Sequence, residues 1–192
     1  GVLFACIVND KDRAAGRSGV GTVMGSKNLK AVCIRGTLGV KVKDSKKFME
    51  ASIAARKILA DNAVTGEGLP TYGTQVLMNV INETGALPTR NSKDIQFEGA
   101  SKIGGEAMLE IRESDGKANL VSNAACFSCP ISCARISQID PEHFTVKGKP
   151  KYHQPSGGLE YEAAWSLGAA TGVDDLEALT YCNFVCNEQG FD

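Results

Sequence analysis

The sequence predicts an α+β fold in which the end of a β-rich first domain leads into a mostly α-helical second domain. Two observations carry this. Up to about residue 42, short apolar runs alternate with polar or glycine-containing turns. From Lys43 onward the apolar residues recur at helical spacing. The domains are therefore set at residues 1–42 and 43–192.

In the first part, Val2 to Val8 and Leu29 to Ile34 read as buried strands. Between them, Arg13 to Asn28 holds Gly16, Gly19, Gly21 and Gly25 together with Arg13, Arg17 and Lys27. This reads as a glycine-rich loop that lets an anion approach the backbone, with arginine forks to bind it. A glycine-rich turn with solvated cations is the other reading. The glycine spacing fits neither the dinucleotide fingerprint nor the Walker loop.

In the second part, Asp44 reads as the N-cap of a helix carrying Phe48, Met49, Ile53, Ile58 and Leu59. Gly66 to Pro70 breaks the pattern. Gln75 to Asn82 and Gly104 to Arg112 read as further helices, and Gly85 to Asn91 as a turn-rich connector. The last helix starts at an Asp174 cap, with Glu177 three residues on, and stops at Gly190. Neither repeats nor low-complexity segments are visible.

Composition excludes several classes. With 21 basic and 22 acidic residues and a formal net charge of -1, the chain offers no basic surface for nucleic acid. No apolar run reaches the roughly 18 residues that span a bilayer, and no membrane partner is expected. Seven cysteines, an odd number, point away from a secreted disulfide framework and toward a reducing, cytoplasmic setting. The chain opens without Met on an apolar run and stops just after a helix-ending Gly, so it is expected to be part of a longer protein.

Cys126, Cys129 and Cys133 form a C-x-x-C-x-x-x-C cluster. Thiolates so spaced on a tight turn can face one point, as an iron–sulfur cluster requires. Zinc is the competing reading, but no second C-x-x-C follows, and His143 and His153 lack suitable spacing. The spacing is also the reverse of a radical-SAM triad. Cys6, Cys33, Cys182 and Cys186 sit in apolar or helical patterns and read as core residues.

Five motifs in order then carry a resemblance over essentially the whole chain: Arg13-Ala-Ala-Gly-Arg17, Gly21-Thr-Val-Met-Gly-Ser-Lys-Asn-Leu-Lys30, the cysteine motif, Leu159-Glu-Tyr-Glu162, and Asn183 to Asp192. The chain resembles a middle portion of the aldehyde ferredoxin oxidoreductase family of tungsten–pterin enzymes. The resemblance implies pterin contacts at Arg13, Ala14, Gly16 and Arg17. It implies a [4Fe–4S] cluster on the three cysteines, with its fourth ligand beyond Asp192. The last turn resembles the family's second pterin signature, implying contacts at Asn187, Phe191 and Asp192. Asn187 stands where the family has an acid, which removes a charge but keeps an acceptor oxygen.

Glu160 and Glu162 read by themselves as an acidic first helical turn. The resemblance implies a catalytic role for Glu162, which would take a proton beside the metal if burial raised its pKa. It further implies tungsten or molybdenum held by two pterins, with magnesium between their phosphates. The implied activity is oxidation of a small aldehyde to a carboxylic acid, by an oligomeric enzyme whose electrons leave through the cluster to ferredoxin or an iron–sulfur subunit. Two alternatives remain: a tungsten-dependent benzoyl-coenzyme A reductase of the same family, and a non-catalytic electron-transfer subunit.

Overall fold

The computed structural model describes residues 1–9 and 13–191. Its opening is a two-stranded antiparallel sheet of β1 (Ile7–Asn9) and β2 (Arg13–Ala15), with Val8 opposite Ala14. The apolar run before it is not a buried strand, because Leu3 and Phe4 are exposed and only Ile7 and Val8 enter the ladder. Leu29 to Ile34 forms no strand either. Val32 and Ile34 are exposed, and no described strand lies alongside to take up their backbone hydrogen bonds.

The glycine-rich stretch is also not a loop. A 3-10 turn (Arg17–Gly19) leads into helix α1 (Val20–Ser26). Gly21 explains the seat of this helix, since its N–H donates to the Ala5 carbonyl at 2.9 Å. A Cβ there would stand 2.5 Å from the Cys6 oxygen and 2.7 Å from that of Ala5. Glycine here serves contact between two backbones of the protein.

Helix α2 (Ser45–Asp61) begins where Asp44 predicts, with the Asp44 carboxylate accepting from Lys47 N at 3.0 Å. Its apolar residues Phe48, Met49, Ile53 and Ile58 are exposed. The predicted break at Gly66–Pro70 is instead a π-helical turn (Val64–Gly68) running into α3 (Leu69–Tyr72). Pro70 is accommodated because a first helical turn needs no N–H from it. A 3-10 turn (Gly73–Val76) and α4 (Leu77–Glu83) follow, covering the helix expected over Gln75–Asn82.

The helix expected over Gly104–Arg112 reduces to a 3-10 turn (Ala107–Leu109), preceded by the short α5 (Ala100–Ile103). Gly104 is extended, at φ -81° and ψ -179°, and Arg112 is drawn away to Asp115 and Glu177. A three-stranded antiparallel sheet comes next, of β3 (Leu120–Ala124), β4 (Ala134–Ser137) and β5 (Ser156–Gly157), with β4 central. Helix α6 (Tyr161–Ala164) continues through a π-helical turn (Trp165–Ala169), and α7 (Leu176–Gln189) closes the chain.

Met78, Leu87, Phe97, Ile103, Leu159 and Leu179 form the main core, which joins α4, α5, α6 and α7. A smaller cluster of Ile139, Val146 and Phe184 packs beside α7. The architecture is α+β, as the sequence predicts. The α7 cap shifts by one residue: Asp175 accepts from Ala178 N at 3.0 Å, while Asp174 pairs with Lys102 at 2.5 Å. Glu177 makes no capping box. It accepts from Arg112, Asn119 and Asp140 N, at 2.9, 3.2 and 2.8 Å. Gly190, at φ 71°, ends the helix as expected. Among the described residues no helix is long and apolar enough to cross a membrane.

Candidate cofactor and cluster site

Three segments that are distant in sequence meet at one end of the fold. The segment preceding β1 docks on the end of α7, where Ala5 bridges Phe191 and Cys6 N donates to the Gly190 carbonyl at 2.9 Å. Phe4 meets the Phe191 ring edge-on, with centroids 5.6 Å apart. The Arg13–Arg17 turn then faces the start of α6, with Arg13 3.9 Å from Glu160 and Arg17 3.1 Å from Glu162. Ala14 is exposed and Gly16 half-buried, so little side chain shields the backbone of this turn. Asp192 lies outside the described residues.

The two carboxylates differ in kind. The Glu162 side chain is 62% exposed, so the burial expected of it falls on Glu160 instead. Its pair with Arg17 is solvent-washed and contributes at most about 1 kcal/mol, which leaves both groups available to a ligand. Glu160 is largely buried and accepts from Thr74 Oγ1 at 2.6 Å, while Thr74 Oγ1 accepts from Tyr161 N at 2.9 Å. Burial pushes the Glu160 carboxyl above its usual range; the Thr74 hydrogen bond, Arg13 and Arg135 oppose the shift without cancelling it.

The cysteine motif occupies the loop joining β3 to β4. Cys126 is exposed; Cys129 and Cys133 are half-buried. The backbone curls twice, at Ser128 (φ 58°) and Ser132 (φ 54°), and Cys129 N donates to the Cys126 carbonyl at 2.9 Å. Among the described residues, no three His, Cys, Asp or Glu side chains gather as a single metal ion would require. The thiols thus share one loop without converging on one point. The other cysteines are not core residues: Cys33 and Cys182 are exposed, Cys6 and Cys186 half-buried. Burial, then the nearby Cys182 and Cys6 thiols, pushes the Cys186 thiol up.

Arg135, which sequence patterning did not single out, stands at the foot of this loop with 1% of its surface exposed. Its guanidinium donates to the carbonyls of Leu69 and Thr71, at 2.9 and 3.0 Å, and to the Asn123 side chain. Asn123 lies opposite Arg135 in the β3–β4 register, so one guanidinium ties both strands flanking the loop to the Leu69–Thr71 backbone. Burial draws its pKa down, while Glu160 and Cys133 act to raise it. Only the unusual position of an Arg inside the β-pattern Ala134–Ser137 could have signalled it.

Two observations bear on which groups these residues suit. A cavity of about 920 Å³ runs between Cys6–Asn9 and the end of α7, lined by Asn187 and bordered by Lys30 and Lys151. Lys151 is paired with Glu188, which also lines the cavity, so the volume, the amide and Lys30 together suit a large polar organic ligand. Among the described residues two buried N–H groups lack acceptors: Arg13 Nη2, on the side chain that approaches Glu160, and Arg135 Nε, close to the Cys133 carbonyl. Soft thiols backed by an orphaned donor suit an iron–sulfur cluster. In chemistry the donors suit both groups that the resemblance implies, although the three thiols do not converge and the Arg13–Arg17 turn lies outside the lining of this cavity.

Comparison with known proteins shows the family. Residues 50–192 match the family description "Aldehyde ferredoxin oxidoreductase, domains 2 & 3". The chain belongs to the aldehyde ferredoxin oxidoreductase family. Residues 1–36 match the same family's N-terminal domain. Among curated relatives, the chain is 42% identical to the tungsten-containing aldehyde ferredoxin oxidoreductase of Thermococcus kodakarensis, covering 100% of this chain and 29% of the relative. It is 43% identical to the proteins of that name from Pyrococcus abyssi and Pyrococcus horikoshii, covering 100% of this chain and 28% of each. The chain thus spans less than a third of the length of these family members.

Proposed function

We propose that this chain is the part of a tungsten–pterin oxidoreductase that holds one side of the pterin cofactor and three of the four ligands of a [4Fe–4S] cluster. The full protein would oxidise small aldehydes to carboxylic acids and pass electrons through the cluster to ferredoxin or an iron–sulfur subunit. The observation that carries this reading is the meeting of the Arg13–Arg17 turn with Glu160 and Glu162, alongside the α7 end at Asn187 and Phe191. Those are the motifs on which the family resemblance rests.

In this reading residues 1–42 close the first domain and 43–192 belong to the second. Arg13, Ala14, Gly16 and Arg17 present guanidinium and bare backbone to the pterin, and Asn187 accepts from it across the cavity. Glu162, exposed and adjustable against Arg17, takes the substrate proton. Cys126, Cys129 and Cys133 supply thiolates. Tungsten, or molybdenum in its place, supplies the two-electron redox chemistry, and the chain's own residues bind, orient and move the proton. The reading is of a cytoplasmic, oligomeric enzyme.

Elemental analysis of the full-length protein, purified without oxygen, tests this. About four irons and one tungsten or molybdenum per chain are expected. Zinc alone would overturn the cluster assignment, and iron without tungsten or molybdenum would leave only an electron-transfer role.

A further inference from the structure

Arg135 carries a buried positive charge that, among the described residues, bonds directly to no carboxylate. Its Nη atoms are spent on two main-chain carbonyls and the neutral Asn123 amide. Among the described residues its Nε has no acceptor. Glu160 is a carboxylate whose charge acts on it, and Cys133 stands two residues before it in the chain. A guanidinium buried on neutral acceptors pays a desolvation penalty that only a nearby anion offsets. Gly73 permits this placement. A Cβ at residue 73 would overlap Arg135 Nε and stand 2.6 Å from the Cys133 carbonyl oxygen, so the guanidinium and the third cysteine share one tight packing site.

Resting on the iron–sulfur reading above, we propose that Arg135 is a positioning residue for the cluster, fixing the foot of the cysteine loop and raising the cluster's reduction potential through its buried charge. A four-iron cluster with four thiolates is anionic, and reduction adds a further negative charge. A fixed cation in a poorly screened interior favours the reduced form. Because the charge is anchored at both flanking strands, it stays behind the loop in either redox state. Exposed cations such as Lys117 lack this effect, since water screens them.

The experiment is an EPR-monitored redox titration, with iron analysis, of the full-length protein carrying Arg135→Gln or Arg135→Lys. Arg135→Gln is expected to lower the potential so that the reduced-to-oxidised ratio at a fixed poise falls at least tenfold, or 59 mV for one electron. Arg135→Lys, which keeps the charge but not the fork, is expected to retain most of the potential while losing iron more readily. If Arg135→Gln does not hold its cluster, the charge is tested on Arg135→Lys against a Lys117→Gln control. Full iron with unchanged potential in Arg135→Gln, or a Lys variant that shifts as far as Gln, would overturn the proposal. Wild-type protein without iron would instead refute the functional reading on which it rests.

Discussion

Gly73→Ala tests the packing on which the cysteine loop stands. Gly73 lies at φ 60° and ψ -154°, a region almost reserved for glycine, so any side chain there costs about 1–3 kcal/mol in backbone strain. The added methyl also overlaps Arg135 Nε and sits 2.6 Å from the Cys133 oxygen. The guanidinium must move, and it is held by three hydrogen bonds worth roughly 1.5–3 kcal/mol each to a charged group. Losing even one brings the total to about 2.5–6 kcal/mol, a large share of the stability of an ordinary domain. Gly116→Ala is the control. Gly116 lies at φ 69° with nothing within 4 Å of its Cβ position, so it carries backbone strain alone. Urea unfolding followed by Trp165, the chain's one tryptophan, should show Gly73→Ala losing at least about 2 kcal/mol more than Gly116→Ala. Equal losses would show that Arg135 is not locked against residue 73.

Two other outcomes follow from the buried polar groups. Glu160 holds its proton to higher pH in the folded protein than in the unfolded chain, so its ionisation opposes folding. Its penalty is absent below the ordinary carboxylate range and complete above the raised folded value. Stability measured against pH should therefore fall relative to Glu160→Gln between those limits, by up to about 1.4 kcal/mol per pH unit, and parallel profiles would contradict the burial of this carboxyl. Glu177→Ala strips an acceptor from Asp140 N and from Arg112, which keeps Asp115 at 2.9 Å; a loss of about 3 kcal/mol is expected in urea unfolding. A change under 0.5 kcal/mol would show that these donors find water instead.

Legibility in the sequence followed the range of the interactions involved. The Asp44 cap and its helix, the Gly190 stop and the α+β class rest on contacts a few residues apart, and residue type alone determined them. The cysteine spacing is likewise local, and it placed the three thiols on one loop without bringing them to one point. The motifs also named the pieces of the candidate site, though not their arrangement. Local patterning misled where a neighbour decides the outcome: Leu29–Ile34 has strand composition but no strand to pair with, and Gly21 serves a helix pressed on Ala5 and Cys6. The burial of Glu160 in place of Glu162 was equally hidden, because two carboxylates two residues apart differ only in what folds over them. Arg135 is the fullest case. Its acceptors at residues 69, 71 and 123 and the gap left by Gly73 are brought to it only when α3 meets the β3–β4 hairpin, so tertiary structure alone could place a buried charge behind the cysteines.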